Sequence, residues 1–138
     1  MTDPDLRRLL LESRRIAVVG LSPRPSRPSH SVAAYLKRVG YTIIPVRPAF
    51  TGAILGEPVY PDLPAAAAAA GPIDIVNVFR RSSAIPDLLG DIIAVRPRLV
   101  WLQVGVIHDP SVRKLEAEGI PVVQDRCLAV DHHALVAA

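Results

Sequence analysis

The sequence predicts a single α/β domain built around a five-stranded parallel sheet. Its 138 residues are enough for one hydrophobic core. Apolar runs such as residues 16–19 are continuous rather than alternating, which is typical of strands covered on both faces. These runs alternate with segments of helical periodicity, and each strand-helix-strand unit favours a right-handed crossover. We therefore expect a Rossmann-like, doubly wound sheet with the strand order 3-2-1-4-5.

Local signals place the individual elements. Pro45 removes a ladder donor from the second strand, which therefore needs an edge, an end or a bulge at that point. Asp109 is the expected N-cap of the helix that Pro110 begins, and residues 47–61 have the composition of an ordered loop. The predicted strands are residues 16–19, 42–46, 73–79, 99–103 and 121–124. The predicted helices are residues 3–13, one capped by Ser29 or Ser31 and ended by Gly40, residues 65–70, residues 83–95, one beginning at Asp109, and a short one near the C-terminus.

Composition and charge indicate an anionic small-molecule partner. Fourteen of the sixteen basic residues are arginine, and the pI is about 9.5. Guanidinium groups match the geometry of phosphate oxygens. Only 4% of residues are aromatic and no basic run is interleaved with them, so we expect no nucleic acid as a partner. No apolar run reaches the length of about 20 residues that spans a bilayer, so we expect a soluble protein without a membrane partner. The single cysteine and the absence of a signal-peptide pattern predict a cytoplasmic location.

The segment from Gly20 to His30 is the predicted phosphate-binding loop. A strand that ends in glycine and leads into a helix presents backbone N–H groups and the positive end of the helix dipole. The ligand of a doubly wound sheet lies where the strand order reverses, which the expected order puts beside strands one and four. Arginines without matching carboxylates follow three strands, and they repel one another unless an anion lies between them. The arginines are Arg24, Arg27, Arg47, Arg80 and Arg81, and the nearest acidic residues are Asp62 and Asp74.

Arg47, at the end of the second strand, narrows the type of nucleotide. Sites for NAD usually carry Asp or Glu at this position, whereas arginine accommodates a phosphate on the ribose. The G-x-G-x-x-G fingerprint is also absent, because the loop after Gly20 contains prolines and no second glycine. NADP and the 3′-phospho-ADP of coenzyme A remain as alternatives.

Five motifs resemble those of the stand-alone CoA-binding proteins, which are small bacterial and archaeal proteins similar to the N-terminal domain of the succinyl-CoA synthetase α subunit. The resemblance covers residues 15–127. Each motif is weak alone, and their combination is specific. They are I-A-V-V-G-L-S-P-x-P-S-R-P-S from Ile16, I-P-V-x-P from Ile44, D-I-V-x-V-F-R-R-S from Asp74, V-W-L-Q-x-G-V from Val100 and V-V-x-D-R-C from Val122.

The resemblance implies a site for coenzyme A or an acyl-CoA along the predicted strand ends. Two departures limit the transfer of roles: Thr51 stands near the position of a synthetase lysine, so Arg47 must supply that charge, and the phosphorylated histidine of the synthetase belongs to a second domain that this sequence lacks. The expected phosphate loop is Gly20, Ser22, Pro23, Arg24, Pro25, Ser26 and Arg27. The resemblance implies Val46 and Pro48 on the adenine side, with the charge of Arg47 at the same strand end. Val78, Phe79 and Arg80 are expected beside pantetheine and adenine, and the far wall is expected to consist of Gln103, Val104, Gly105 and Val106.

Cys127 and the adjacent His132 and His133 are the candidates for further chemistry. A lone cysteine after a strand is usually a small buried apolar residue, so we expect no reactive thiol partner for CoA there. The two histidines could bind a metal with Asp125 or Asp131. Neighbouring side chains point to different faces, however, and no third ligand has a recognised spacing, so no metal site is expected.

The remaining candidates are expected to have structural roles. His30 at a helix start is expected to be neutral, His108 to belong to a loop, and Trp101 to be core or ligand wall, with core favoured. No catalytic residue is predicted, which favours a binding module over an enzyme. The leading hypothesis is a non-catalytic CoA-binding carrier, sensor or partner subunit, with a homo-oligomer or a ligase-like protein as possible assemblies. The alternatives are an NADP-dependent oxidoreductase and an interaction protein with a vestigial nucleotide site.

Overall fold

Five short apolar strands form a parallel sheet in the computed structural model, which describes residues 1–137. Two further strands form a separate antiparallel hairpin. The strands are β1 (Arg15–Val19), β2 (Thr42–Val46), β3 (Ala53–Ile54), β4 (Glu57–Pro58), β5 (Ile75–Val78), β6 (Leu99–Leu102) and β7 (Val122–Val123). The helices are α1 (Asp3–Glu12), α2 (Pro28–Arg38), α3 (Leu63–Ala70), α4 (Ile85–Val95), α5 (Asp109–Ala117) and α6 (Leu128–His132), and one π-helical turn follows at His133–Ala137.

The predicted parallel α/β sheet is confirmed, but its expected strand order is wrong. The observed order is β2-β1-β5-β6-β7, so the five predicted strands run 2-1-3-4-5. Pro45 supplies a physical reason. Its carbonyl accepts from the Tyr60 N–H on the outer side of β2, and its nitrogen, which faces the same side, has no hydrogen to donate to a further strand. The edge position therefore suits β2, and strand β5 pairs with β1 instead.

This order moves the expected ligand crevice. The chain runs from β1 to β2 on one side of it, and after β2 it crosses over to β5 on the other side of β1. The strand order reverses between β1 and β5, and a ligand crevice opens at such a point in doubly wound sheets. The crevice was expected beside the first and fourth strands of the parallel sheet in chain order. The observed order moves it to the first and third, which are β1 and β5.

Two apolar layers cover the sheet. Helices α3, α4 and α5 supply Leu63, Ile85 and Leu115 to one layer, and side chains such as Leu6 and Leu36 from α1 and α2 fill the other. Strand residues alternate between these layers, which explains why the apolar runs are continuous. Within residues 1–137 no helix has both the length and the apolar character needed to cross a membrane.

Two local predictions are corrected by hydrogen bonding. Helix α5 is capped by His108, whose Nδ1 accepts from Ser111 N at 3.2 Å, and Asp109 is the first helical residue rather than the cap. The loop of residues 47–61 contains the hairpin of β3 and β4. Its turn has Leu55 and Gly56 at φ +53° and +75°, which fits a two-residue hairpin turn although leucine is an unusual residue there.

Asp74 lies at the opposite end of the sheet from the expected ligand edge. Its Oδ2 accepts from the backbone N–H groups of Arg14 and Arg15 at 2.8 and 2.9 Å, and its Oδ1 is 3.5 Å from Arg98 Nε. Asp62 caps α3 by accepting from Ala65 N at 2.8 Å. The two acidic residues nearest in sequence to the predicted arginine rim are therefore occupied elsewhere.

His132 joins α6 to α2 through a buried aromatic cluster. The residue is 5% exposed, its Nδ1 is 2.8 Å from the Tyr35 hydroxyl, and Tyr35 and Tyr41 each meet its ring edge-on at 5.5 Å. Tyr41 donates to the Leu10 carbonyl at 2.6 Å, and burial raises the pKa of Tyr41 to about 12. Burial, followed by the charge of His133, lowers the pKa of His132 from its ordinary value of 6.5.

The lowered pKa predicts a pH-dependent stability. Because the unfolded chain binds a proton at His132 more readily than the folded chain, the free energy of unfolding should fall as the pH drops through 6.5 and level off below the folded pKa. Urea unfolding at pH 7.5 and 5.5 measures this loss. The His132→Asn variant should lose less stability between the two pH values than the wild type, and an equal loss in both proteins would contradict the assignment.

Candidate functional site

The end of β1 passes very close to the end of β5. Gly20 has φ +85°, and its N–H donates to the Val46 carbonyl at 2.9 Å. A Cβ at this position would lie 2.5 Å from the carbonyl oxygen of Phe79. Only glycine fits both the left-handed conformation and this close approach. The turn is therefore held directly at the point where the strand order reverses.

The loop after Gly20 is fastened to the first turn of α2. Ser22 N donates to Ser29 Oγ at 3.0 Å, Arg24 N donates to Ser22 Oγ at 3.1 Å, and Arg27 N donates to the Arg24 carbonyl at 3.0 Å. Arg27 is the N-cap and makes no side-chain capping bond, so the expectation of Ser29 or Ser31 as the cap is wrong. The 6% exposed Ser29 stabilises the loop instead, and within residues 1–137 its hydroxyl donates to no acceptor.

A cavity of about 940 Å³ opens between this loop, the ends of the central strands and the start of α6. Most of its apolar lining, such as Val32 and Cys127, belongs to or packs against the layer that α2 and α6 cover, whereas Val106 at the strand ends belongs to the other layer. Its wall consists of Gly20, Ser22, Pro23, Arg24, Arg27, Pro28, Ser29, Val32, Arg47, Phe50, Phe79, Gln103, Val104, Val106 and Cys127.

Three arginines converge on the cavity. Arg24 and Arg27 are exposed at its mouth, and Arg47 is half-buried and donates through Nη1 to the Leu21 carbonyl at 3.3 Å. None of the three forms an ion pair within residues 1–137. No carboxylate of the described chain lies within ion-pairing distance of these three guanidinium groups, and this arrangement favours an anion in the cavity.

The structure brings part of the predicted site together and leaves part outside. The expected residues that line the cavity are Gly20, Ser22, Pro23, Arg24, Arg27, Arg47, Phe79, Gln103, Val104 and Val106. The expected residues outside its lining include Pro25, Ser26, Pro48, Arg80 and Gly105. Arg81, which was expected among the arginines at the strand ends, also lies outside it.

Val46 and Val78, which the resemblance implies beside the ligand, lie outside the cavity lining. Both are buried in the apolar layer on the opposite face of the sheet from the cavity. The alternation of side chains along a strand explains this placement, because Phe79 follows Val78 and faces the cavity side. Only their backbones reach the ligand edge: the Val46 carbonyl holds Gly20, and the Val78 carbonyl holds Gln103 N.

Several lining residues were not among the predicted site residues. Ser29 and Val32 could have been identified from helical geometry, since residues three apart near the start of α2 lie on the same face of the helix. Phe50 lies in a loop without periodicity, so no sequence signal placed its ring here. Cys127 is partly exposed on the cavity wall rather than fully buried as expected. Pro28 completes this group.

A pair of carboxamides lies beneath the cavity. Gln103 is 4% exposed, and its Nε2 donates to Asn77 Oδ1 at 2.7 Å. Asn77 is fully buried in β5, between Val18 of β1 and Trp101 of β6. Its Nδ2 has no hydrogen-bond partner within the described chain. The fully buried Trp101 donates through Nε1 to the Arg126 carbonyl at 2.8 Å, which assigns it to the core.

The loop after β6 is fixed by two side chains from neighbouring segments. Gly105 N donates to Asp125 Oδ1 at 2.8 Å, and Ile107 N donates to Ser82 Oγ at 2.9 Å. These bonds hold Val104 and Val106 on the cavity wall. In the part of the chain that the structure describes, no group of three or more His, Cys, Asp or Glu residues could hold a metal ion.

The sequence of the chain matches a family model described as a CoA binding domain over residues 14–133. The chain belongs to this CoA-binding domain family. It is 39% identical over 128 residues to the uncharacterized protein YneT of Bacillus subtilis, and the match covers 93% of this chain and 92% of that protein.

Solved structures support the same relationship. A Thermus thermophilus protein described as cell-free ID.343 superposes with a TM-score of 0.92 at 44% identity and covers 98% of this chain and 99% of its own. A hypothetical protein from Pyrococcus horikoshii superposes with a TM-score of 0.90 at 29% identity, with coverage of 99% and 93%. The matched range of this CoA-binding domain includes every residue that lines the cavity.

Gly20 provides a test of the close strand approach. Gly20→Ala should lower the free energy of unfolding by more than about 1 kcal/mol, because the new Cβ meets the Phe79 carbonyl at an unfavourable φ. Gly90→Ala is the matched control, since Gly90 lies in α4 with open space where a Cβ would project and should gain about 0.5–1 kcal/mol. Urea unfolding measures both variants, and a tolerated Gly20→Ala would contradict the packing.

Proposed function

We propose that the protein binds coenzyme A or an acyl-CoA in this cavity and acts as a non-catalytic carrier, sensor or partner subunit. The observation that carries the proposal is the convergence of Arg24, Arg27 and Arg47 on one cavity without an ion pair in residues 1–137. A polyanionic ligand relieves the repulsion among these guanidinium groups. Membership in the CoA-binding domain family supports coenzyme A as that ligand.

The polar groups suit the two phosphate regions of coenzyme A. Arg24 and Arg27 flank the loop whose serine hydroxyls, Ser22 and Ser29, face the cavity at the N-terminus of α2. This combination of hydroxyls, guanidiniums and helix dipole suits a pyrophosphate. Arg47 follows β2, the position from which an arginine meets a ribose phosphate in doubly wound folds. We assign the 3′-phosphate to Arg47.

The apolar wall suits the remaining parts of the ligand. Phe50 and Phe79 are partly buried rings at the cavity and offer apolar surface to a flat base. Val104 and Val106 form an apolar strip on the other wall, which suits a flexible aliphatic arm such as pantetheine. An NADP site would also use Arg47, so NADPH is the competing ligand that the experiment includes.

Isothermal titration calorimetry with CoA and 3′-dephospho-CoA tests the arginine assignments. The wild type should bind CoA at least tenfold more tightly than 3′-dephospho-CoA. Arg47→Ala should weaken CoA binding by about 1.5–3 kcal/mol, the range for charged hydrogen bonds, and remove the preference. Arg24→Ala should weaken both ligands by a similar amount and keep the preference, because its partner is the pyrophosphate.

Arg81→Ala is the matched control, because Arg81 is exposed and lies outside the cavity lining. It should leave both affinities unchanged. Thermal unfolding checks that each variant is folded, which matters for Arg47 because of its bond to the Leu21 carbonyl. Equal wild-type affinities for the two ligands, or tighter binding of NADPH than of CoA, would sink the proposal.

A further inference from the structure

Ser26 lies at the tip of a turn in the loop between β1 and α2. Arg27 N donates to the Arg24 carbonyl at 3.0 Å and closes this turn, which has Pro25 and Ser26 at its centre. Ser26 is exposed, lies outside the cavity lining and makes no side-chain hydrogen bond within residues 1–137. Its hydroxyl is therefore accessible to another enzyme.

The other serines of this segment already have structural partners. Ser22 Oγ and Ser29 Oγ accept from backbone N–H groups of the loop, and Ser29 is 6% exposed. Ser31 donates to the Pro28 carbonyl at 3.1 Å within the first turns of α2. Ser26 is thus the serine here that can be modified without breaking a hydrogen bond of the described chain.

The surroundings of Ser26 suit a covalently attached phosphoryl group. Arg24 and Arg27 form the two corners of the turn, and neither makes an ion pair within residues 1–137. The sequence contains no acidic residue between Glu12 and Glu57. Phosphoserine carries a charge of about −2 and three acceptor oxygens, which pair with guanidinium groups and are stabilised at the N-terminus of a helix such as α2.

We propose that Ser26 is a phosphorylation site that inhibits ligand binding. Ser26 Oγ attacks the γ-phosphorus of a nucleoside triphosphate held by a separate serine kinase. The bond from this phosphorus to the bridging oxygen breaks, the nucleoside diphosphate leaves, and the hydroxyl proton passes to a base of the kinase. The attached phosphoryl group then occupies Arg24 and Arg27 and repels the pyrophosphate of an incoming ligand.

The inhibition rests on the proposed binding of coenzyme A, but the contact with the arginines can be measured without any ligand. Phosphoserine is encoded at position 26, and phosphorus NMR follows its titration. Pairing with guanidinium groups favours the dianion, so the second pKa of the phosphoserine should lie below its ordinary value of about 6. The variant Arg24→Ala/Arg27→Ala should restore that value, and an unchanged pKa in this variant would overturn the contact.

Calorimetric titration with coenzyme A measures the inhibition. Protein with phosphoserine at position 26 should bind CoA at least about tenfold more weakly than the unmodified protein, because the pyrophosphate loses two guanidinium partners. The preference for CoA over 3′-dephospho-CoA should persist, since Arg47 is unaffected. Phosphoserine at position 83 is the matched control, because Ser83 is also exposed and lies outside the cavity lining. It should leave the CoA affinity within twofold.

Phosphopeptide mapping of the protein isolated from its own cells, both growing and starved, should find the modification at Ser26. An unmodified Ser26 in both samples would overturn the phosphorylation site. An unchanged CoA affinity with phosphoserine at position 26, or an equal loss with phosphoserine at position 83, would overturn the inhibition and leave the proposed function intact. An unmodified protein that binds no coenzyme A would overturn the proposed function and the inhibition together.

Discussion

The backbones of β1 and β5 approach each other so closely at Gly20 that no side chain fits between them. This approach lets the chain turn sharply out of the sheet, and the Val46 carbonyl holds the turn from the other side. The loop to α2 then begins at a fixed point, and its serine bonds carry that order to the helix N-terminus. The position of the cavity therefore depends on one residue without a Cβ, at the place where the strand order reverses.

The fold could be predicted from the sequence to the level of elements, because continuous apolar runs and helical periodicity are local signals. Pairing is not local, and this explains the wrong strand order. Pro45 nevertheless indicated the edge position of its strand, because a strand that lacks one backbone hydrogen-bond donor is best placed at an edge. The β3–β4 hairpin was missed because Leu55 occupies a turn position that usually requires glycine or asparagine. His108 was missed as a cap because histidine is not among the usual capping residues.

The candidate site could be predicted where residues follow a strand end directly, as Gly20 and Phe79 do. Arg80 and Arg81 follow the same strand as Phe79 but do not line the cavity, which shows that a strand tip indicates a region and not a side-chain direction. Phe50 reaches the cavity from an irregular loop that has no periodicity to interpret. The hydrogen bond between Gln103 and Asn77 could be found only in the structure, because nothing in the sequence distinguishes these two residues from other polar residues of strands.

Native mass spectrometry of the gently purified protein tests the central claim most directly. The arginines at the cavity have no ion-pair partner in the described chain, so the account predicts that the protein carries coenzyme A or an acyl-CoA and releases it on unfolding. Ligand-free protein should take up added coenzyme A in preference to NADPH. A protein that carries NADP, or that stays ligand-free in the presence of saturating coenzyme A, would contradict the account.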